Sequence, residues 1–238
     1  MWAIVLLAAC QKDQDGSAAT APQSAVPPTQ PVASAAAKAP DLGACPKPKL
    51  LADLSQEREK PLILPDAAAG LFVADRYRMA VSSLSGATIC IDTYGIEGIS
   101  NAKVSPDKRF ISFDWGGFEA FGHSIIDRSG RGQEVDTGTA PLTTADGRRM
   151  AAVDLSESGF GSLNAFAVWD IDPTGIKEIA RFSEGLPDLG QWTATGWSGD
   201  TCVNLEFDGW DEQAGKSRRQ PWRAAAGKGW RPEPGSCP

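Results

Sequence analysis

A turn signature recurs along this chain ahead of short β-branched and aromatic runs, and the repetition limits the fold more than any other feature. Ser105-Pro106-Asp107-Lys108 precedes Arg109-Phe110-Ile111-Ser112-Phe113, and Thr144-Ala145-Asp146-Gly147 precedes Arg148-Arg149-Met150-Ala151-Ala152-Val153. Ser198-Gly199-Asp200 precedes the run Cys202 to Phe207, and Ala74-Asp75-Arg76 before Tyr77 to Val81 is a degraded fourth copy. Short Ser, Thr and Asp side chains hydrogen-bond the backbone of their own turn, so each copy reads as a turn between antiparallel strands. A second hairpin follows in each unit: Ile89 to Asp92 with Tyr94-Gly95, Ile125 to Asp127 with Gly130, Val168 to Asp170 with Gly175. Trp222 to Trp230 reads as the last hairpin. Strands are expected at Val104 to Phe113, Phe166 to Ile171 and Cys202 to Phe207, each bounded by Gly, Pro, Asp or Ser. Only Ala52 to Lys60 reads as a helix. The fold class is therefore all-β.

The two-hairpin unit resembles a β-propeller blade, in particular the Ser-Pro-Asp-Gly repeats of the Tol-system translocation protein and related WD40-like families. The turn aspartates are 32, 39 and 54 residues apart, irregular but near the length of a four-stranded blade. The resemblance implies a small, about four-bladed β-propeller-like domain, or an incomplete one braced by disulfides. The alternative is an irregular β-sandwich whose hairpins look alike because all hairpins share turn chemistry.

The first ten residues, Met1-Trp2-Ala3-Ile4-Val5-Leu6-Leu7-Ala8-Ala9-Cys10, are an apolar run too short to span a bilayer, which takes about 20 residues. Its ending, Leu7-Ala8-Ala9-Cys10, resembles the lipobox of bacterial lipoproteins, where a peptidase cuts before a cysteine that then carries lipid. The departure is a missing basic segment ahead of the apolar run, as a gene start placed too far downstream would produce. The resemblance implies a signal peptide over 1–9 and a membrane anchor through lipid on Cys10. Gln11 follows that cysteine instead of the Asp that retains many such proteins at the inner membrane. In a Gram-negative host this favours the outer membrane with the domain facing the periplasm. Residues 10–43 are Ala, Pro, Ser, Thr and Gln with almost nothing large and apolar, a semi-stiff disordered tether. Residues 44–238 then read as one domain.

The formal charge of -7 with scattered basic residues argues against a nucleic-acid partner. Cys45, Cys90, Cys202 and Cys237 remain after Cys10; none has Cys-x-x-Cys spacing, and an oxidising compartment makes them two disulfides. Cys45–Cys90 with Cys202–Cys237 is favoured because each pair staples a terminus to a nearby element, and Cys45–Cys237 is the main competitor.

No catalytic constellation is visible and no cofactor or metal site is expected. The one histidine, His123, cannot build a multi-histidine zinc site and reads as structural or exposed. Asp170-Ile171-Asp172-Pro173-Thr174-Gly175 looks like half a calcium loop, but Arg181 stands where the bidentate Glu belongs, so it reads as a hairpin turn. Acid and aromatic residues follow the second strand of three units: Asp114-Trp115 with Phe118-Glu119, Asp154 with Glu157 and Phe160, and Asp208 with Trp210-Asp211-Glu212. In a propeller these would be loops emerging on one face as an acidic rim studded with rings. The candidate binding residues are Asp114, Trp115, Glu119, Asp154, Glu157, Phe160, Asp208, Trp210 and Asp211. Rings at such a rim suit protein recognition. The expectation is a non-enzymatic module binding another envelope protein; the alternative is glycan binding or cleavage with Asp114, Glu119 and Asp211 as acid and base.

Overall fold

The computed structural model describes residues 39–47, 62, 70–155, 159–187, 190–211 and 215–238, without the side chain of Asp211. Cys10, the expected signal, most of the expected tether, the helix expected over 52–60 and Glu157 lie outside the described residues. What is described belongs to one compact unit beginning at Ala36. Among the described residues no helix is long and apolar enough to cross a membrane.

The described residues are all-β and form four antiparallel sheets in chain order. The first contains β1 (Phe72–Ala74), β2 (Arg78–Ser82) and β3 (Thr88–Asp92). The second contains β4 (Ile96–Val104), β5 (Phe110–Gly117), β6 (Ala120–Asp127) and β7 (Gln133–Asp136). The third contains β8 (Leu142–Thr143), β9 (Arg149–Asp154), β10 (Ala165–Asp172) and β11 (Gly175–Phe182). The fourth contains β12 (Gly190–Ser198), β13 (Cys202–Asp211), β14 (Lys216–Ala225) and β15 (Pro232–Pro234). Each sheet is a simple meander, with every strand paired to its sequence neighbour.

The repeated turns are built alike. Ser105 Oγ donates to Asp107 and accepts the Phe110 amide at 2.8 Å, while Asp107 accepts the Arg109 amide at 3.0 Å. Thr144 repeats this with Asp146, Arg148 and Arg149 at 2.7, 3.0 and 3.1 Å. Asp75 caps the Tyr77 and Arg78 amides in the first sheet at 2.9 and 3.0 Å. One expected strand is divided: β4 ends at Val104 and β5 begins at Phe110, with the turn between them. The segment Asp172 to Gly175 is the β10–β11 hairpin, with Asp172 Oδ1 accepting from Thr174 and Gly175.

Consecutive sheets pack face to face. Met79, Val81 and Ile91 meet Ile111, Phe113 and Ile126 between the first and second sheets. Ile125 and Val135 meet Met150, Ala152 and Trp169 between the second and third. Ala151, Val153, Phe166 and Val168 meet Trp192, Leu205, Phe207 and Trp222 between the third and fourth. The third sheet is covered on both faces, which is why Met150 to Val153 and Ala165 to Trp169 are unbroken apolar runs. β3, at the outer edge of the first sheet, alternates buried and exposed residues instead. Among the described residues no apolar cluster joins the fourth sheet to the first.

Arginines lock adjacent sheets together. Arg109 forms a bidentate pair with Asp127 at 3.0 and 2.7 Å and reaches the Asp172 carbonyl of the next sheet at 2.5 Å. Arg149 pairs with Asp170 at 2.7 Å, donates to the Asp200 carbonyl of the fourth sheet and lies over the Trp230 ring. Burial alone would raise the Asp127 carboxyl, but Arg109 and the hydrogen bonds from Ser129 hold it below the ordinary range. Disulfides join Cys45 to Cys90 and Cys202 to Cys237, the first pinning the entering chain to β3 and the second the C-terminus to β13.

Candidate functional site

Strand β9 ends at Asp154, where the second, third and fourth sheets come together around a cleft of about 580 Å³. Phe121 and Thr139 line it from the second sheet and its exit, Asp154 and Leu155 from the third, and Trp192, Asp208 and Trp210 from the fourth. The second and third sheets touch directly here: the Phe121 amide donates to the Phe160 carbonyl at 3.2 Å, and Phe121 bridges to Gly161. Trp192 is anchored by its Nε1–H on the Pro187 carbonyl at 2.9 Å and packs against Phe207 and Trp222 with ring centroids 4.9 and 5.1 Å away. The rings of Trp210 and Phe121 are exposed, at 65% and 45%.

The two carboxylates at the cleft differ. Asp208 accepts from Ser217 and from Arg219 at 3.4 Å. Val203, Leu205 and Phe207 point into the core, so strand alternation puts Asp208 and Trp210 on the outer face of β13, and they meet the cleft at the end of the sheet. Asp154 is only 7% exposed. It takes a hydrogen bond from the Leu163 amide, and its Oδ2 has no partner. Burial raises its carboxyl above the ordinary range, the Leu163 amide opposes that, and the nearby Asp136 charge reinforces it. Gly138 and Gly161 pack so closely on this carboxyl that an added Cβ at either would lie 2.4 Å from Oδ2.

Of the residues expected at an acidic rim, Asp154, Asp208 and Trp210 line this cleft, and Phe160 flanks it through Phe121. Asp211 closes β13 opposite Lys216. The first acid-aromatic segment is arranged differently from the expected loop. Asp114 and Trp115 lie inside β5, opposite His123 and Gly122 of β6. Asp114 accepts from His123 Nδ1 at 2.5 Å and from Asn101 at 2.7 Å. These bonds outweigh burial and hold its carboxyl below the ordinary range. Trp115 packs into the core between the first two sheets, because Ile111, Phe113 and Trp115 share one face of β5. Glu119 occupies the exposed β5–β6 turn at φ 58°. His123 is buried and bonded to Asp114, the structural one of its two expected roles, although the sequence did not show its partner. Phe121, Trp192 and Thr139 were missed at the cleft; only the ring of Phe121, three residues beyond Phe118, gave any signal in the sequence.

No protein-family model matches the chain, and a search of curated proteins returns no match.

Proposed function

We propose that this chain is a lipoprotein of the cell envelope, anchored through lipid on Cys10 in the outer membrane and facing the periplasm. Its four sheets are blades of a small, incomplete β-propeller-like domain, and that domain binds another envelope protein without catalysis. The meander order, the matching Ser/Thr-x-Asp turns and the consecutive face-to-face packing support the blade reading. That no apolar cluster joins the first and fourth sheets among the described residues supports an incomplete ring over a closed one.

One observation carries the binding reading. Residues from three sheets, far apart in sequence, converge on a single cleft that combines exposed rings with carboxylates. Such a site suits a basic side chain of a partner: Asp154 and Asp208 supply negative charge, and Trp210 offers a ring face to a guanidinium or ammonium. A glycan is the competing occupant, because Trp210 and the cleft carboxylates also match the chemistry of sugar hydroxyls.

The test compares the wild type with Trp210→Ala, whose exposed ring can be removed with the fold kept. Quantitative co-purification from detergent-solubilised membranes should lose one discrete partner at least fivefold in the variant, with unchanged thermal stability. Equal recovery of every protein would overturn the reading, and loss of binding to peptidoglycan fragments instead would favour the glycan. Cys10→Ser should move the protein from membranes to the soluble fraction; retention would remove the anchor.

A further inference from the structure

A second cavity, of about 340 Å³, lies between the second and third sheets and is separate from the acidic cleft. Its deep walls are apolar, with Ile125, Met150 and Ile176 all under 9% exposed. Its mouth carries the exposed residues Lys103, Thr143 and Gly147. A pocket of this size, mostly apolar with a few placed polar groups, is the ordinary form of a small-molecule site.

Two polar side chains line it below the mouth, the half-buried Ser112 and His123, and His123 is the more deeply placed at 5% exposed. The pairing of Asp114 with His123 across β5 and β6 puts both on the face turned towards the third sheet. Asp114 holds Nδ1 at 2.5 Å. A carboxylate can only accept, so Nδ1 carries a proton, and in the neutral ring Nε2 is left as a bare acceptor. Among the described residues Nε2 has no protein partner, and it is not sealed off from solvent. The space beside this ring is the cavity that His123 lines.

We propose that this cavity binds a compact, mostly apolar molecule bearing one hydroxyl group, which donates to His123 Nε2 while its body fills the space above Met150 and Ile176. The acceptor sets the polarity of the ligand, the walls set its apolar character, and Lys103 at the mouth disfavours a cation. Asp114 is the positioning residue that fixes which ring nitrogen faces the ligand.

His123 is the chain's single histidine, so its imidazole signals need no assignment. Protein labelled with ¹⁵N-histidine is titrated with phenol, benzene and benzoate at one pH. Phenol should move the Nε2 resonance saturably and bind about fivefold tighter than benzene, the value of one net hydrogen bond. Benzene should fill the cavity without displacing Nε2. No saturable phenol shift up to its solubility, an equal Nε2 shift with benzene, or preferential binding of benzoate would each overturn the proposal. Because the readout is on the intact protein and away from Trp210, it is independent of the partner-binding cleft.

Discussion

Arg128 shows how a single side chain holds this molecule together. It is 1% exposed and donates to the carbonyls of Ser82 and Lys108, both at 2.6 Å, so one guanidinium caps backbone acceptors of the first and second sheets. Arg128→Ala removes the guanidinium that both carbonyls share and leaves a void at a 1% exposed site, and should destabilise by about 3 kcal/mol in denaturant unfolding. A loss below about 1 kcal/mol would mean that water replaces the donor. Asp154 works in the opposite direction. Its carboxyl is raised in the folded state, so its favourable contribution is complete below the unfolded value of about 3.9 and is lost as pH rises through the folded value. Asp154→Asn should therefore melt higher than the wild type at pH 7, with the gap closing towards pH 4; a lower melting temperature at pH 7 would contradict this. Asp127, held low, contributes in the other window: its stabilisation is present above about pH 4 and lost as acid protonates it. Residue-level legibility was uneven. The alternation Ile111, Phe113, Trp115 carried enough signal to put Trp115 inside. The partner of Asp114 was hidden, because the β5–β6 register that sets His123 opposite it is a property of the turn and not of either residue alone.

At the scale of elements, turns were the most readable part of the chain, since their hydrogen bonds are local. The same donor and acceptor set recurs around Ser105 and Thr144. Ser105→Ala and Thr144→Ala should each cost about 1 kcal/mol. Equal stability of both variants would show that the aspartates alone hold these turns. Strand ends were harder to read. β13 continues through Asp208, Trp210 and Asp211 although those residues look like a loop, because pairing to β12 and β14 satisfies the backbone whatever the outer side chains are. Acid and aromatic residues expected to leave the sheets are for that reason partly built into them, and the site is a cleft at the strand ends instead of a fringe of loops.

Across the whole molecule, the four turn aspartates marked four sheets, and the pairings Cys45–Cys90 and Cys202–Cys237 followed from their closeness to the ends of the domain. The order of packing was not legible, because contacts between sheets rest on which face each apolar residue takes after the strands have paired. The disulfides close spans of 45 and 35 residues, each limiting the unfolded chain by about 4 kcal/mol in the loop-entropy picture. Reduction should lower the melting temperature by about 10 °C or more; an unchanged melt would show that the sheets need no staples. The central claim, that the acidic, ring-lined cleft takes an envelope protein, is tested most directly by in-cell photo-crosslinking from probes at Trp210 and Phe121, with mass spectrometry of the adducts. The same discrete protein crosslinked from both positions is the predicted result. No protein adduct from either, with the domain folded and membrane-bound, would contradict it.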